Sequence, residues 1–168
     1  MAAGKTTLGA PLAASMDFSF CDLDAYIEQN CNKTISQIFA DSGVDAFRCI
    51  ERDMLHKAVA EMDNAVISAG GGTPLFFDNM EYMNSVGTTL FLDASEPVLL
   101  RRLLEASATR PLVAGKSREQ LAEYIHTELA SRRAFYQKCK YTICADRLES
   151  LSQIQETVGL VKELLTNN

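Results

Sequence analysis

We predict an α/β fold in which a parallel β-sheet carries helices on both faces. The first observation is an alternation along the chain, where short apolar or β-branched segments are separated by longer segments with helical periodicity. Parallel strands need crossover helices between them, so this alternation is typical of a parallel sheet. The second observation is the length of 168 residues without an internal repeat or a linker. We therefore assign residues 1–168 to a single domain.

The predicted strands are short, and turn-forming or acidic residues bound each of them, which predicts strands buried on both faces. They cover residues 18–21, 65–68, 88–92 and 141–144. Helices are predicted where apolar residues recur every three or four positions. Helix N-termini are indicated by Pro97 and by the capping-box pair Ser117 and Gln120. The predicted helices cover residues 8–14, 25–29 and 42–62, two segments that begin at Pro97 and Ser117, and a closing helix through Ile154, Val158, Val161 and Leu165.

Composition and charge exclude several classes of protein. Hydrophobic residues make up 47% of the chain and charged residues 23%, as in a globular protein. No stretch approaches the ~18 apolar residues of a membrane span and no signal peptide is evident, so we expect a cytoplasmic protein without membrane contact. The net charge of −6 argues against a nucleic-acid partner. Five widely spaced cysteines favour reduced thiols over disulfides or zinc, and His56 and His126 are interpreted as surface or boundary residues without partners.

The first residues carry half of a phosphate-binding motif. Gly4-Lys5-Thr6-Thr7 precedes a predicted helix and matches the end of the pattern G-x-x-x-x-G-K-[ST]. In that loop, backbone N–H groups bind phosphates, the lysine contacts the β and γ groups, and the hydroxyl binds Mg²⁺. A flexible N-terminus with a solvated lysine is the alternative. The first glycine of the motif and the strand before it are missing, so we expect the natural chain to begin upstream of Met1.

Aspartates and glycines follow two of the predicted strands. Asp22 and Asp24 come after residues 18–21, where ligands bind in α/β sheets. Asp22 can hold a water on Mg²⁺ and Asp24 can accept a proton from a hydroxyl, although one of them can simply cap the next helix. Three glycines at residues 70–72 follow the strand at 65–68, and their bare backbone favours close approach of a ligand.

Arginines are the candidate anion-binding residues, and each has a structural alternative. Arg48 lies three residues before Glu51, a spacing that also suits a surface ion pair. Arg110 lies in a stretch with glycine and alanine that suits a mobile lid. Arg132 and Arg133 lie near the end of a predicted helix, where cations stabilise the helix dipole without any function.

Taken in order along the whole chain, these motifs closely resemble the shikimate kinase family. The matching segments are Gly4-Lys5-Thr6-Thr7, Asp22-Leu23-Asp24, Ile27-Glu28, Ile38-Phe39, Gly43, Phe47-Arg48-x-x-Glu51, Val66-Ile67-Ser68-x-Gly70-Gly71-Gly72, Leu90-Phe91-Leu92, Arg110-Pro111-Leu112 and Arg132-x-x-x-Tyr136. A single motif is weak, whereas this ordered set is specific. The chain departs from the family at Val44, where glutamate is usual, and at Ala134, where proline is usual.

The resemblance implies a three-layer P-loop kinase fold of the nucleoside-monophosphate-kinase type, with five parallel strands in the order 2-3-1-4-5. The central first strand is the one absent from this chain, which leaves a slot of ~9–10 Å between its neighbours. The resemblance also implies a substrate-binding segment at about residues 24–62 and a lid at about residues 107–120. The implied activity is transfer of the ATP γ-phosphate to the 3-hydroxyl of shikimate by a monomer, a step towards chorismate and the aromatic amino acids. We expect activity only in a chain extended upstream.

The resemblance also assigns roles to individual residues. Lys5 and Asp24 are the implied catalytic residues, and Thr6 and Asp22 the implied Mg²⁺ ligands, Asp22 through water. The implied shikimate ligands are Asp24, Arg48, Gly71 and Arg132, with Arg133 as an alternative to Arg132. The implied ATP contacts are Gly4, Lys5, Thr6, Thr7, Arg110 and, by a loose match, Arg147.

Two other functions stay open at this point. Aspartate, glycine backbone and arginine also bind polyols, so another small-molecule P-loop kinase, such as a gluconate kinase, is the alternative enzyme. A non-catalytic relative that retains the fold and binds the substrate is the alternative from a different class.

Overall fold

The computed structural model describes residues 2–105 and 116–166, which form seven α-helices, four β-strands and a short 3-10 helix. Arg110 and most of the predicted lid at 107–120 lie outside the described residues. In chain order the elements are α1 (Lys5–Met16), β1 (Ser19–Asp22), α2 (Leu23–Cys31), α3 (Ile35–Glu61), β2 (Ala65–Ser68), the 3-10 helix (Thr73–Leu75), α4 (Asn79–Val86), β3 (Leu90–Asp93), α5 (Glu96–Glu105), α6 (Arg118–Tyr136), β4 (Tyr141–Cys144) and α7 (Leu151–Thr166).

All four strands pair in parallel, as predicted, but they form two separate two-stranded sheets. β1 pairs with β2, with Asp22 opposite Ser68. β3 pairs with β4, with Asp93 opposite Cys144. These pairs agree with the neighbours 2-3 and 4-5 of the predicted strand order. Because β1 and β2 run in the same direction, the residues that follow them lie side by side.

The strands are less buried than the sequence predicted. One residue of β1 and one of β2, Cys21 and Ser68, are buried, whereas β3 and β4 contain no buried residue. The prediction of strands buried on both faces was therefore wrong. The physical reason is that, within the described residues, each strand has a hydrogen-bonded neighbour on one side only.

Adding a strand between β2 and β3 should stabilise the protein. β2 and β3 each have one edge without a strand partner among the described residues, and the predicted strand order 2-3-1-4-5 places the added strand between them. Each new backbone hydrogen bond contributes ~0.5–1.5 kcal/mol. We expect a chain extended upstream by a strand-forming segment to have a free energy of unfolding higher by about 3 kcal/mol or more, measured by urea denaturation. A glycine- and serine-rich extension of equal length is the control, and equal stability of the two extended chains would contradict the expectation.

Sequence patterns located most elements to within two residues. The strands at 65–68 and 141–144 match, whereas β1 lies one residue later than predicted and β3 covers 90–93 rather than 88–92. The capping box of Ser117 and Gln120 is confirmed at the start of α6. The helix predicted at 42–62 matches the part of α3 that follows an interruption at Gly43, where φ is 79° and ψ is 178°, whereas the helical segment from Ile35 to this interruption was not predicted. That left-handed φ favours glycine, so the helical periodicity restarts after it.

Two apolar clusters hold the elements together. The larger joins α1 with α5, α6 and α7 through Leu8, Leu12, Leu99, Leu103, Leu121, Ile125 and Val161. The smaller joins α2 to α3 through Leu23, Ile27, Ile38, Phe47 and Leu55. The second cluster fixes α2 and α3 as one unit beside the carboxyl end of β1. None of the described helices has the length and apolar character of a membrane span.

Candidate active site

The N-terminus of α1 forms the phosphate-binding part of the candidate site. Gly4 is the N-cap of this helix and has a left-handed conformation, with φ of 93°, which glycine adopts without strain. Lys5 is the first helical residue, and the hydroxyl-bearing Thr6 and Thr7 follow it in the first turn. No acidic side chain occupies that turn. The unpaired N–H groups and the positive end of the helix dipole therefore suit an anion.

Arg102 on α5 holds the phosphate loop through hydrogen bonds to its backbone. Nη2 of Arg102 donates to the carbonyl oxygen of Ala145 at 2.9 Å and to Glu149 at 2.7 Å. Its Nη1 lies 3.5 Å from the carbonyl oxygens of Ala2 and Ala3. Hydrogen bonds from Arg101 and Arg102 lower the pKa of Glu149 to about 2, so this carboxylate stays charged at neutral pH. The network ties the phosphate loop to the segment after β4.

Asp22 both caps α2 and contacts the phosphate loop. Its Oδ1 accepts hydrogen bonds from the backbone N–H groups of Asp24 and Ala25, so the capping interpretation applies to Asp22. Its Oδ2 accepts a hydrogen bond from the Thr6 hydroxyl at 3.3 Å. A hydroxyl and a carboxylate are thus adjacent beside Lys5, as a Mg²⁺–phosphate site requires. No group of three or more His, Cys, Asp or Glu side chains in residues 2–105 and 116–166 is arranged to hold a metal by itself.

Asp24 faces the triple-glycine turn. Its Oδ1 lies 3.5 Å from the position that a Cβ on Gly70 would occupy. The Asp24 side chain is accessible to solvent. Nearby protein atoms nevertheless desolvate its carboxylate and raise its pKa above the usual aspartate range. The negative charge of Asp22 raises this pKa further. The ammonium of Lys5 acts in the opposite direction and lowers that pKa. Asp24 is therefore a carboxylate of increased basicity beside a cation.

Backbone N–H groups are available in the glycine turn. The turn follows β2, and the Thr73 N–H donates to the carbonyl oxygen of Gly70 at 3.2 Å. The N–H groups of Gly71 and Gly72 donate to no acceptor in the described parts of the chain. Two donors are thus left for a ligand next to Asp24.

Arg48 lies directly against this turn. A Cβ on Gly72 would be 2.8 Å from Nη2 of Arg48 and 2.9 Å from Nη1, so only glycine leaves room for the guanidinium. Nη1 donates to Oε2 of Glu51 at 2.5 Å, and the guanidinium carbon lies 4.4 Å from the ring centroid of Phe76. The ion pair with Glu51 exists, but Glu51 is 1% exposed, so the surface interpretation of that pair was wrong. The Thr73 hydroxyl donates to the second oxygen of Glu51 at 2.7 Å.

The two neighbouring arginines of α6 have different surroundings. Both terminal nitrogens of Arg133 contact the carboxylate of Asp93 at the end of β3, at 3.0 and 3.1 Å. Arg132 forms an ion pair with Glu128. Burial raises the pKa of Tyr136, and the nearby Arg132 guanidinium acts in the opposite direction. The Tyr136 hydroxyl donates to the carbonyl oxygen of Gly71 at 2.6 Å. Arg132 is therefore the arginine near the tyrosine that contacts the glycine turn, whereas Arg133 is held at β3.

The remaining candidates lie apart from this cluster or outside the described residues. Arg147 is exposed in the loop after β4 and pairs with Glu156. The interpretation of the histidines as lacking partners was wrong. His56 stacks on Tyr82 with ring centroids 3.7 Å apart, and His126 contacts Glu96 at 3.0 Å.

Sequence reasoning missed several residues that shape the site. They are Glu51 as a buried acceptor, Thr73, Tyr136 as a ligand of the turn, Phe76 and Arg102. The spacing of Arg48 and Glu51 predicted an ion pair between them but did not predict that Glu51 is buried. The others contact residues 22 or more positions away, and no local pattern carries that information.

The fold and the phosphate loop identify an α/β P-loop kinase. The model of the family described as "Shikimate kinase" matches residues 1–162. A shikimate kinase of Phocaeicola vulgatus is 50% identical over 165 residues, covering 98% of this chain and 94% of that protein. One of Bacteroides fragilis is 48% identical, with 98% and 92% covered. The chain belongs to the shikimate kinase family.

Solved structures agree with this assignment. The crystal structure of shikimate kinase from Bacteroides thetaiotaomicron has a TM-score of 0.95 at 46% identity, and the match covers 99% of this chain and 94% of that one. Shikimate kinase from Acinetobacter baumannii, solved in complex with shikimate, has a TM-score of 0.82 at 27% identity, with 100% and 90% covered. The predicted fold is thereby confirmed.

Proposed function

We propose that this protein transfers the γ-phosphate of ATP to the 3-hydroxyl of shikimate and gives 3-phosphoshikimate. The observation that carries the proposal is the convergence of Asp24, Arg48 and Arg132 on one glycine turn, next to Lys5. The family assignment and the shikimate complex of the Acinetobacter baumannii relative support it. We further propose a cytoplasmic monomer that acts without nucleic acid or membrane.

On the nucleotide side, positioning and charge neutralisation are the main tasks, because phosphoryl transfer needs little covalent help. Lys5 supplies a cation at the N-terminus of α1, and Gly4, Thr6 and Thr7 contribute the loop around it. Thr6 and Asp22, 3.3 Å apart, offer the oxygen donors that would hold Mg²⁺ directly and through water. Mg²⁺ bound there would neutralise charge on the phosphates. Arg110 and Arg147 are proposed as additional phosphate and adenine contacts.

On the acceptor side, Asp24 binds the reacting hydroxyl and takes its proton. Its raised pKa makes it a better base than an ordinary aspartate. Arg48 and Arg132 bind the shikimate carboxylate, and charge-assisted hydrogen bonds of this kind contribute ~1.5–3 kcal/mol each. Burial of Glu51 against Arg48 orients that guanidinium before the substrate arrives. The Gly71 N–H adds a backbone donor.

Steady-state ADP release in the presence of ATP and Mg²⁺ tests the proposal. In a chain extended upstream by a strand-forming segment, in which all kinetic comparisons below are made, we expect turnover with shikimate and none above background with gluconate. Turnover with gluconate but not with shikimate would favour the alternative function of a gluconate kinase. Calorimetric binding of shikimate without turnover, in both the 168-residue chain and one extended upstream by a strand-forming segment, would favour a non-catalytic relative.

The substitution Gly72→Ala should weaken shikimate binding specifically. The new Cβ would lie within 3 Å of the Arg48 guanidinium, which Glu51 and Phe76 hold in place. Since the φ of Gly72 is −89°, alanine strains no backbone there. We expect KM for shikimate to rise at least about tenfold, as loss of one charge-assisted contact implies, with KM for ATP within twofold.

The matched control is Gly159→Ala on α7, where a Cβ would meet nothing within 4 Å. We expect this variant to keep both KM values, because alanine is also the better helix former. Equal KM values for Gly72→Ala and the unmodified chain would contradict the assigned role of Arg48.

A further inference from the structure

The hydroxyl of Tyr136 connects two parts of the acceptor site. It donates a 2.6 Å hydrogen bond to the carbonyl oxygen of Gly71. Burial raises the pKa of Tyr136, and the Arg132 guanidinium lies close enough to lower it. The ring packs against Phe91 of β3, with centroids 5.0 Å apart, so the side chain is held from both ends. Tyr136 is the last residue of α6 and lies one turn after Arg132. One hydroxyl therefore contacts a glycine of the turn and lies near an arginine of the helix.

Little else fixes the Gly71–Gly72 peptide. Neither N–H group donates to an acceptor within the described ranges, and glycine has the widest conformational freedom of any residue. In a trans peptide, the C=O of Gly71 and the N–H of Gly72 point in opposite directions. A bond from Tyr136 to that C=O therefore directs the Gly72 N–H away from α6.

We propose that Tyr136 is a positioning residue of the acceptor site, whose hydroxyl fixes the Gly71–Gly72 peptide beside the Arg132 guanidinium. The inference deepens the proposed function, because Gly71 and Arg132 are the shikimate ligands proposed above. Loss of the hydroxyl leaves the Gly71 carbonyl without its donor. The ring stays packed on Phe91. We therefore expect shikimate binding to weaken and ATP binding to stay unchanged.

The test compares Tyr136→Phe with Tyr141→Phe. Tyr141 is the first residue of β4, and its hydroxyl forms no hydrogen bond with residues 2–105 or 116–166. For Tyr136→Phe we expect KM for shikimate to rise about five- to twentyfold, the effect of one hydrogen bond of ~1–2 kcal/mol, with KM for ATP within twofold. Tyr141→Phe should leave both KM values unchanged. In a background of Arg132→Lys the effect of Tyr136→Phe should shrink, because both substitutions then act on neighbouring groups of the acceptor site.

Amide resonances of Gly71 and Gly72 in ¹H–¹⁵N NMR spectra give a readout that does not depend on turnover. We expect these two peaks to shift or broaden in Tyr136→Phe and to keep their positions in Tyr141→Phe. Unchanged peaks together with KM for shikimate within twofold of the unmodified chain would overturn the inference, as would an equal rise of both KM values. If a chain extended upstream by a strand-forming segment does not phosphorylate shikimate while the glycine peaks move as expected, the proposed function fails and the positioning role of Tyr136 stands.

Discussion

Replacement of Asp24 by asparagine is expected to lower kcat by about 10²–10⁴-fold, the usual contribution of a positioned general base. Asparagine keeps the shape of the side chain but cannot take a proton from the shikimate hydroxyl. The structure places Asp24 within reach of Gly70 and Lys5, and Asp22 rather than Asp24 provides the helix cap. Folding should therefore change little, and KM for ATP should stay within about threefold. Steady-state kinetics with varied ATP and shikimate measure both quantities.

The pH dependence of kcat distinguishes a carboxylate that acts as a base from a carboxylate with only a structural role. Because desolvation and Asp22 raise the pKa of Asp24, kcat should fall on the acid side at a pH above the range of an ordinary aspartate. This acid limb should disappear in Asp24→Asn. Asp53→Asn is the matched control, since Asp53 is exposed on α3 and pairs only with its neighbour Arg52 among the described residues. A kcat for Asp24→Asn within threefold of the control would contradict the role of base.

Replacement of Lys5 by methionine is expected to lower kcat/KM for ATP by about 10²–10³-fold, a loss typical for removal of one donor aimed at developing charge. The substitution removes the cation from the N-terminus of α1. It should also move the acid limb of the residual activity to higher pH. Lys5 lowers the pKa of Asp24, so without it Asp24 holds its proton to a higher pH and a smaller fraction is ionised at any given pH.

Lys5→Arg separates these two effects, because it keeps the positive charge but changes its geometry. The acid limb should then stay close to its original position even though kcat/KM is reduced. An acid limb that does not move in Lys5→Met would contradict the electrostatic coupling between Lys5 and Asp24. A kcat/KM for ATP that falls less than fivefold would contradict the assignment of Lys5 to the phosphates.

Local patterns predicted those parts of the fold that depend on neighbouring residues. The capping box of Ser117 and Gln120 and the strand at 65–68 occur where the sequence indicates, because hydrogen bonds between near neighbours and β-branched side chains determine them. The start of α3 was missed, because Gly43 interrupts the apolar periodicity and hides the helical segment before it. The low burial of the strands was missed because the number of strand neighbours is a tertiary property.

The residues of the candidate site also fall into two groups, those that local patterns predicted and those that depend on tertiary contacts. The spacing of Asp22 and Asp24 placed two carboxylates at the end of a strand, but only the hydrogen bonds to Asp22 distinguish the cap from the second carboxylate. The choice between Arg132 and Arg133 depends on the rotation of α6 relative to β3, which brings Arg133 to Asp93. No pattern within α6 encodes that rotation.

Contacts over long sequence separations explain why supporting residues were not foreseen. Thr73 contacts Glu51 across 22 positions, and Tyr136 contacts Gly71 across 65. Their chemistry is common in any protein, so their residue types carried no signal. Their importance follows from the acceptors that they hold, because Glu51 orients Arg48 and the Gly71 carbonyl belongs to the turn where substrate is expected to bind.

A structure of the protein with shikimate and a non-hydrolysable ATP analogue tests the central claim most directly. We predict the shikimate 3-hydroxyl within hydrogen-bond distance of Asp24, its carboxylate on Arg48 and Arg132, and the terminal phosphate on Lys5. Shikimate bound away from residues 70–72, or a carboxylate on Arg133 rather than Arg132, would contradict it.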